Sequence, residues 1–273
     1  DSVRQFGMIQ RIAQKMKRTV KVILRLTSGN QFGMDVEEII QLVTNKHPYI
    51  DIMGLHYYSG TQKRNSSEII KDFENLSIQT ADIEKRAGVK FEILEIGGGA
   101  GVPYFMEDDR TRYEESWEVI CGEIRKLSEK YCIVYEAGRI LTATAGVYIS
   151  KVMDYKIRGK RKLLLLDGGM HHFTYYGQIA GRKTPYIESV SMDKSDESEE
   201  VVICGSLCTA QDILVRKARI TGAKEGTYII FYMVGAYSVT ESCMDFLSRS
   251  RPALLLKNSD QLTLLAKDGK SDC

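Results

Sequence analysis

Several short segments of this sequence combine residue types and spacings that suit chemistry. Gly97, Gly98, Gly99 and Gly101 fall in GGGAG, directly after an apolar run. Stacked glycines let backbone N–H groups approach a phosphate, and a following helix N-terminus favours an anion. The same run also suits a plain turn. A dinucleotide loop of the GxGxxG kind is excluded, because Val102 fills the third glycine position. In EAGR, Glu136 and Arg139 lie three apart around Gly138. Such a carboxylate can pair with a ring nitrogen, and such a guanidinium can grip a phosphate with two N–H groups. A structural ion pair between them is the alternative.

His56 and Tyr58 in GLHYYSGTQ (54–62) alternate, so one strand face would carry both towards a barrel mouth. Tyr58 suits stacking on a flat ring, or core packing. Cys208 in CGSLCTAQD (204–212) follows a strand in a Gly/Ser/Thr-rich loop near Asp212. A functional thiol needs an exposed, polar site; elsewhere Cys is a small core hydrophobe. Tyr237 in GAYSVTES (235–242) offers a phenol to a phosphate or to packing. His171 and His172 in DGGMHH suggest a metal, but adjacent rings are expected to diverge and no carboxylate–His spacing supports one. Cys204 and Cys208 lack a second ligand pair, so no zinc is expected.

The elements that must hold these groups change character along the chain. Strand signals at 19–26, 49–58, 91–96 and 131–136 alternate with helical ones at 35–46, 66–87 and 113–130. In the last helix Trp117, Ile120, Cys121, Ile124 and Leu127 are expected to share one face. Such alternation implies parallel strands with crossover helices. Chemistry at the carboxyl ends of successive strands is the habit of a (β/α) barrel. The second half shows strands at 147–157, 162–167, 201–205, 227–234, 253–256 and 262–266, with few long helices between. That pattern predicts a mostly antiparallel β-sandwich or barrel domain. The segment 191–200 reads as a solvated acidic loop.

The expected fold class is therefore α/β plus β. Residues 1–145 form the C-terminal half of a TIM-type (β/α)8 barrel, and residues 146–273 form the β domain. Four parallel strands are half of the eight a barrel needs, so roughly 100 residues would precede Asp1. A half barrel leaves an open strand edge, and the chain alone is expected to be unstable or aggregation-prone. The first helical pattern, with Val3, Phe6, Ile9, Ile12 and Ala13 apolar, begins at once, as if the front were missing.

Composition narrows the partners. A 43% hydrophobic and 27% charged chain of 273 residues can build one large or two medium cores. Thirty-eight basic against 36 acidic residues leave a net charge of +2 without a basic stripe, which excludes nucleic acid as the expected partner. The longest apolar runs, such as LLLLD (163–167), are too short for a membrane, and no signal peptide is evident. Six cysteines without disulfide-framework spacing predict a reduced, cytoplasmic setting.

In order and spacing, GLHYYSGTQ, EIGGGAGVPY, EAGRILTATAG, DGGMHH, CGSLCTAQDIL and GAYSVTES resemble one family. It is the pyridoxal-phosphate (PLP) dependent ornithine/diaminopimelate/arginine decarboxylase family, which joins an alanine-racemase-like barrel to a C-terminal β domain. The resemblance implies that Gly97, Gly98, Gly99 and Gly101 cradle the PLP phosphate, with Gly138, Arg139, Thr61 and Tyr237 around it. It gives Glu136 the pyridine nitrogen and Tyr58 the ring face, with His56 as the outer histidine and a catalytic candidate. It makes Cys208 the proton donor after CO2 leaves, acting in a neighbouring subunit of a homodimer with shared sites. Thr209, Asp212, His171 and His172 are the residues expected at the substrate.

Four departures qualify the picture. The family's Schiff-base lysine lies on an early barrel strand, and no lysine here occupies an equivalent motif. Tyr58 replaces the usual stacking His. Thr209 replaces an acidic residue that holds a distal ammonium, which argues against a diamine product. The Arg- and Tyr-containing stretch of diaminopimelate enzymes is not reproduced in DGGMHHFTYYG (167–177). The variant pattern, with FLSRSRP after GAYSVTES, is similar to a biosynthetic-cluster subgroup that acts on aminoacyl groups held by carrier proteins. The expected function is decarboxylation of an amino acid or a carrier-bound aminoacyl group. A non-catalytic binding or regulatory relative, and an amino-acid racemase, are the competing readings.

Overall fold

The computed structural model describes residues 1–191 and 197–266. Their contacts divide them into two units. One comprises Asp1–Val102 and Asp109–Ile140; the other comprises Pro103–Asp108 and the chain from Leu141 onward.

The first unit alternates helix and strand: α1 (Val3–Met16), β1 (Val20–Leu26), α2 (Val36–Thr44), β2 (Ile50–Tyr58), α3 (Ser66–Ala87), β3 (Ile93–Gly97), α4 (Arg110–Ser128) and β4 (Cys132–Tyr135). The strands form a parallel sheet in the order β1-β2-β3-β4. Local sequence sets the helix ends. Ser2 caps α1 by accepting from Gln5 N, and Asp109 caps α4 by accepting from Thr111 N. Asp35 and Glu38 form a capping box on α2, and Gly88 closes α3 in the left-handed conformation.

Strand alternation builds both the core and the site. Leu24, Leu55 and Leu94 are register partners, as are Leu26, Tyr57 and Ile96, and all six are buried. They pack with Ile39, Ile69, Phe73, Leu76, Ile83 and Ile120 of the helices. Each such aliphatic side chain contributes about 1.5–3 kcal/mol by leaving water. The residues between them, Arg25, His56 and Glu95, are therefore forced onto the opposite face in a single row. One register expectation needs correcting: α4 buries Tyr113, Ser116 and Ile120, while Trp117 stays 42% exposed. Trp117 sits one residue off the buried row, about 100° around the helix.

The second unit is a six-stranded sheet in the order β7-β10-β5-β6-β8-β9. Its strands are β5 (Tyr148–Arg158), β6 (Arg161–Leu166), β7 (Ile187–Val190), β8 (Ser198–Cys204), β9 (Ile213–Thr221) and β10 (Tyr228–Phe231). Only β6 and β8 pair in parallel; the other neighbours are antiparallel. The end strands approach each other, with Ser189 Oγ donating to the Thr221 carbonyl at 3.0 Å. Val152, Leu164, Phe173, Ile203, Val215 and Phe231 fill the interior. A hairpin of β11 (Leu254–Asn258) and β12 (Gln261–Ala266) follows.

The partial barrel and the mostly antiparallel β domain are both present. The acidic loop expected over 191–200 is shorter than that, because Ser198–Glu200 already belong to β8 and pair with β9. Residues 192–196 of that stretch lie outside the described residues. Two strands were not anticipated, β7 and β9. Register shifts around Ile203 displace β9 against β8, so Leu214 and Val215 are buried in succession and the two-residue alternation is lost. Among the described residues no helix is long and apolar enough to cross a membrane.

Candidate active site

The glycine run begins at the end of β3, where the chain must turn beside the loop that follows β2. A Cβ on Gly97 would run into the Tyr58 ring and come 2.7 Å from Glu136 Oε2. Gly99 has φ +57°, and a Cβ there would overlap the Gly60 carbonyl. Only glycine meets both demands at once. The two loops are tied by Lys63 N to Gly99 O at 3.0 Å and Gly101 N to Lys63 O at 3.1 Å. The Gln62 amide completes the lock, donating to Val102 O at 2.6 Å and accepting from Val102 N at 3.0 Å.

Below the loops, Ser59 Oγ donates to both oxygens of Asp72, at 2.8 and 2.9 Å. Asp72 also pairs with Lys63, and both side chains are almost wholly buried. Burial pushes the Lys63 amine down to about 8. This ion pair anchors the β2 loop to α3 and, through the Lys63 backbone, to the glycine run.

The polar row of the sheet lies beside this loop. His56 Nε2 is 3.7 Å from Glu136 Oε2. Burial lowers the His56 pKa against the pull of Glu136. Glu95 is raised, first by burial and then by its hydrogen bond and repulsion with Glu136. Burial and the neighbouring Glu136 carboxylate thus both favour the neutral form of Glu95. The Arg25 guanidinium sits 5.8 Å from the Tyr58 ring centroid. Arg139 Nε donates to Thr61 Oγ1 at 3.2 Å, which places Arg139 at the same loop. Gly138 adjoins it in the chain.

Thus His56, Tyr58, Thr61, Gly97, Gly98, Gly99, Gly101, Glu136, Gly138 and Arg139 converge at the carboxyl ends of β2, β3 and β4. Arg25 and Glu95 join them, and neither was anticipated. Their signal was available in the strand register: each is a charged residue between apolar neighbours in a strand, at the position opposite His56.

The remaining candidates belong to the second unit. Cys208 is exposed, with Thr209 beside it; Thr209 Oγ1 accepts from Gln211 N at 3.3 Å. Asp212 is 3% exposed and accepts from Met170 N and Leu207 N, each at 2.9 Å. A Cβ on Gly169 or Gly205 would strike its carboxylate, so these glycines exist to admit it. Tyr237 is 52% exposed with φ +57°.

The two histidines do not diverge as expected. Their ring centroids are 4.0 Å apart, because the chain turns back at this point, with His172 N donating to Gly169 O at 2.9 Å. His172 Nε2 faces the Ser250 carbonyl at 2.9 Å, and its Nδ1 lies 2.8 Å from the Tyr148 hydroxyl. A carbonyl only accepts, so Nε2 carries the proton and Nδ1 accepts from Tyr148. His171 is 1% exposed, and its Nδ1 has no hydrogen-bond partner. Burial, with His172 and the Arg249 charge nearby, pushes His171 down to about 4. Among the described residues no group of three His, Cys, Asp or Glu side chains could hold a metal.

Fold and site together define a (β/α)-barrel segment whose glycine cradle, acid and guanidinium suit a phosphorylated, nitrogen-containing ring. The family model of the pyridoxal-dependent decarboxylase pyridoxal-binding domain matches residues 3–143, and the chain belongs to that family. Its cofactor is PLP. The obligate glycines, the Arg139–Thr61 contact and the Glu136 carboxylate fit that group.

Similar proteins include the L-glutamyl-[BtrI acyl-carrier protein] decarboxylase of Niallia circulans, 26% identical over 298 residues, covering 100% of this chain and 69% of that protein. The diaminopimelate decarboxylase of Methanocaldococcus jannaschii is 24% identical over 287 residues, covering 97% of this chain and 64% of that protein. The crystal structure of the M. jannaschii enzyme with L-lysine superposes with a TM-score of 0.84 over 97% of this chain and 64% of its own. The lysine/ornithine decarboxylase of Vibrio vulnificus with cadaverine gives 0.75 at 20% identity, covering 92% and 65%. The chain therefore spans about two thirds of the length of the relatives it matches.

Proposed function

We propose that this chain forms the phosphate- and ring-binding part of a PLP-dependent decarboxylase acting on an amino acid or a carrier-bound aminoacyl group. The observation that carries the reading is the convergence of Gly97–Gly99, Glu136 and Arg139 at neighbouring strand ends. When bound, PLP supplies an electron sink for the carbanion left by CO2. The chain's own groups do the rest. Backbone N–H groups of the glycine loop and Arg139 grip the phosphate. Glu136, supported by Glu95, holds a proton on the ring nitrogen, and Tyr58 covers the ring face. Cys208, exposed in its loop, would be the proton donor.

Division of the chain at residues 145 and 146, a cytoplasmic setting and a homodimer with shared sites belong to the same proposal. The substrate class is suggested by the carrier-linked relative and by Thr209 in place of an acid.

A non-catalytic binding role is the second reading, and one observation favours it. Lys63, whose backbone is tied to the glycine run, is bound to Asp72 and cannot supply a Schiff base without breaking that pair. The test supplies this chain with a lysine-bearing first barrel half and measures CO2 from acidic, basic and carrier-linked amino acids. PLP binding to the chain alone is measured by absorbance. CO2 release confirms the enzyme. Binding without release leaves the scaffold role, and no binding ends both readings.

A further inference from the structure

The strap between Asp245 and Arg251 is built at a conformational cost. Asp245, Leu247 and Ser248 have φ of +69°, +56° and +53°, although none is glycine. Such a conformation is strained for a residue with a Cβ and persists only where the surroundings impose it. Here they do. Arg251 binds Asp245 with two N–H groups, Nε to Oδ1 at 2.9 Å and Nη2 to Oδ2 at 2.5 Å. His172 Nε2 holds the Ser250 carbonyl.

Between these two pins the strap presents Arg249. Its Nη2 donates to Ser206 Oγ at 3.1 Å, two residues before Cys208 in the same loop. Among the described residues, no carboxylate lies within ion-pair distance of Arg249. The acids of this neighbourhood are already committed. Asp212 accepts from Met170 N and Leu207 N, Asp167 accepts from Ser150 Oγ and Lys151 N, and Asp245 holds Arg251. His171, buried nearby, is kept neutral and offers an Nδ1 that no group uses. The cluster is thus a fixed positive charge beside a hydroxyl with a free proton.

We propose that Arg249 and Ser206 form a carboxylate-binding site that reads the distal acid group of the substrate beside Cys208. The planar guanidinium keeps N–H groups to spare for a two-point grip, and the Ser206 hydroxyl, accepting from Arg249, turns its own proton to the same anion. A distal ammonium would meet the Arg249 charge and be repelled. The anion site stands on the cluster alone; its assignment to a substrate rests on the decarboxylase reading.

The test titrates glutarate, inorganic phosphate and cadaverine into the protein, following the Ser206 amide and the Arg249 Nε–H by NMR. Glutarate is expected to give saturable shifts at both, and cadaverine none. R249Q keeps a donor for Ser206 but loses the charge, and is expected to weaken glutarate by roughly tenfold or more. R249K should fall between. S206A leaves the strap pins untouched and should weaken glutarate more modestly, so it serves if R249Q loosens the strap, which the His172 ring signals would reveal.

Glutarate binding indifferent to R249Q and S206A overturns the proposal, as does tighter binding of phosphate than of glutarate, or of cadaverine at the same atoms. PLP added to the same samples separates the two readings. PLP binding without Arg249-dependent glutarate binding sinks the carboxylate site alone. Glutarate binding without PLP leaves the anion site and removes its assignment to a decarboxylase substrate.

Discussion

The glycine cradle of the first unit and the histidine–arginine cluster of the second are built in opposite ways. The cradle is made of backbone. Its glycines leave room for neighbours, and two main-chain bonds with one amide lock hold it in place. The cluster is made of side chains brought from distant parts of the sequence: Tyr148, His172, Ser206 and Arg249. A backbone site needs few residue types and tolerates little change at them. A side-chain site depends on packing, and its charges can be altered while the fold stands.

The sharpest way to break this contrast is below the cradle. Asp72→Asn would leave the buried Lys63 ammonium without its counter-ion. A loss of about 3–5 kcal/mol in denaturant unfolding is expected, with weaker PLP binding because the Lys63 backbone holds the glycine run. A change near zero would show that the anchor is dispensable.

Next, Gly99→Ala places a Cβ against the Gly60 carbonyl at φ +57°. It should cost about 1–3 kcal/mol. PLP binding should fall further than that of pyridoxal, which lacks the phosphate. Equal losses for both ligands would argue that the run is only a turn.

Acid tests the cluster. His171 is held down from an ordinary 6.5 to about 4, so the unfolded chain binds its proton first as pH falls. Its contribution to stability is complete above 6.5, declines between there and about 4, and is then spent. His171→Phe should flatten the melting temperature in that window relative to the parent; parallel curves would contradict the assignment.

The smallest effect is expected far from both sites. Arg86 bridges Glu37 and Asp82 on the exposed helix surface, and solvent screens such groups. Arg86→Ala should leave the melt within the scatter of repeats, while a clear drop would mean that surface pairs matter here as much as buried ones.

The cradle was largely legible in the sequence because its requirements are local. Three successive glycines after an apolar run report a tight approach, and EAGR at the next strand end reports a second group at the same level. Arg25 and Glu95 went unnoticed because a charge in a largely apolar strand acquires meaning only when neighbouring strands place His56 between them. The Lys63–Asp72 pair was hidden for the same reason: neither residue belongs to a motif, and burial rather than spacing makes the pair important. In β9 the period failed at a bulge, and in α4 the helical spacing named the right stripe but one residue too wide, taking in Trp117.

By itself the sequence determined the half barrel, the β domain and the backbone-built cradle. Each follows from residue order: apolar alternation, helix caps, and glycine where no Cβ fits. Only the tertiary structure decided which side chains share a site. It set Glu95 against Glu136, turned Lys63 onto Asp72, brought together two histidines expected to part, and pinned a strained strap so that Arg249 stands at Ser206 with no carboxylate of the described residues within ion-pair distance. Charge, burial and hydrogen-bond supply at such points are sums over neighbours far apart in the chain, and the fold alone brings those neighbours together.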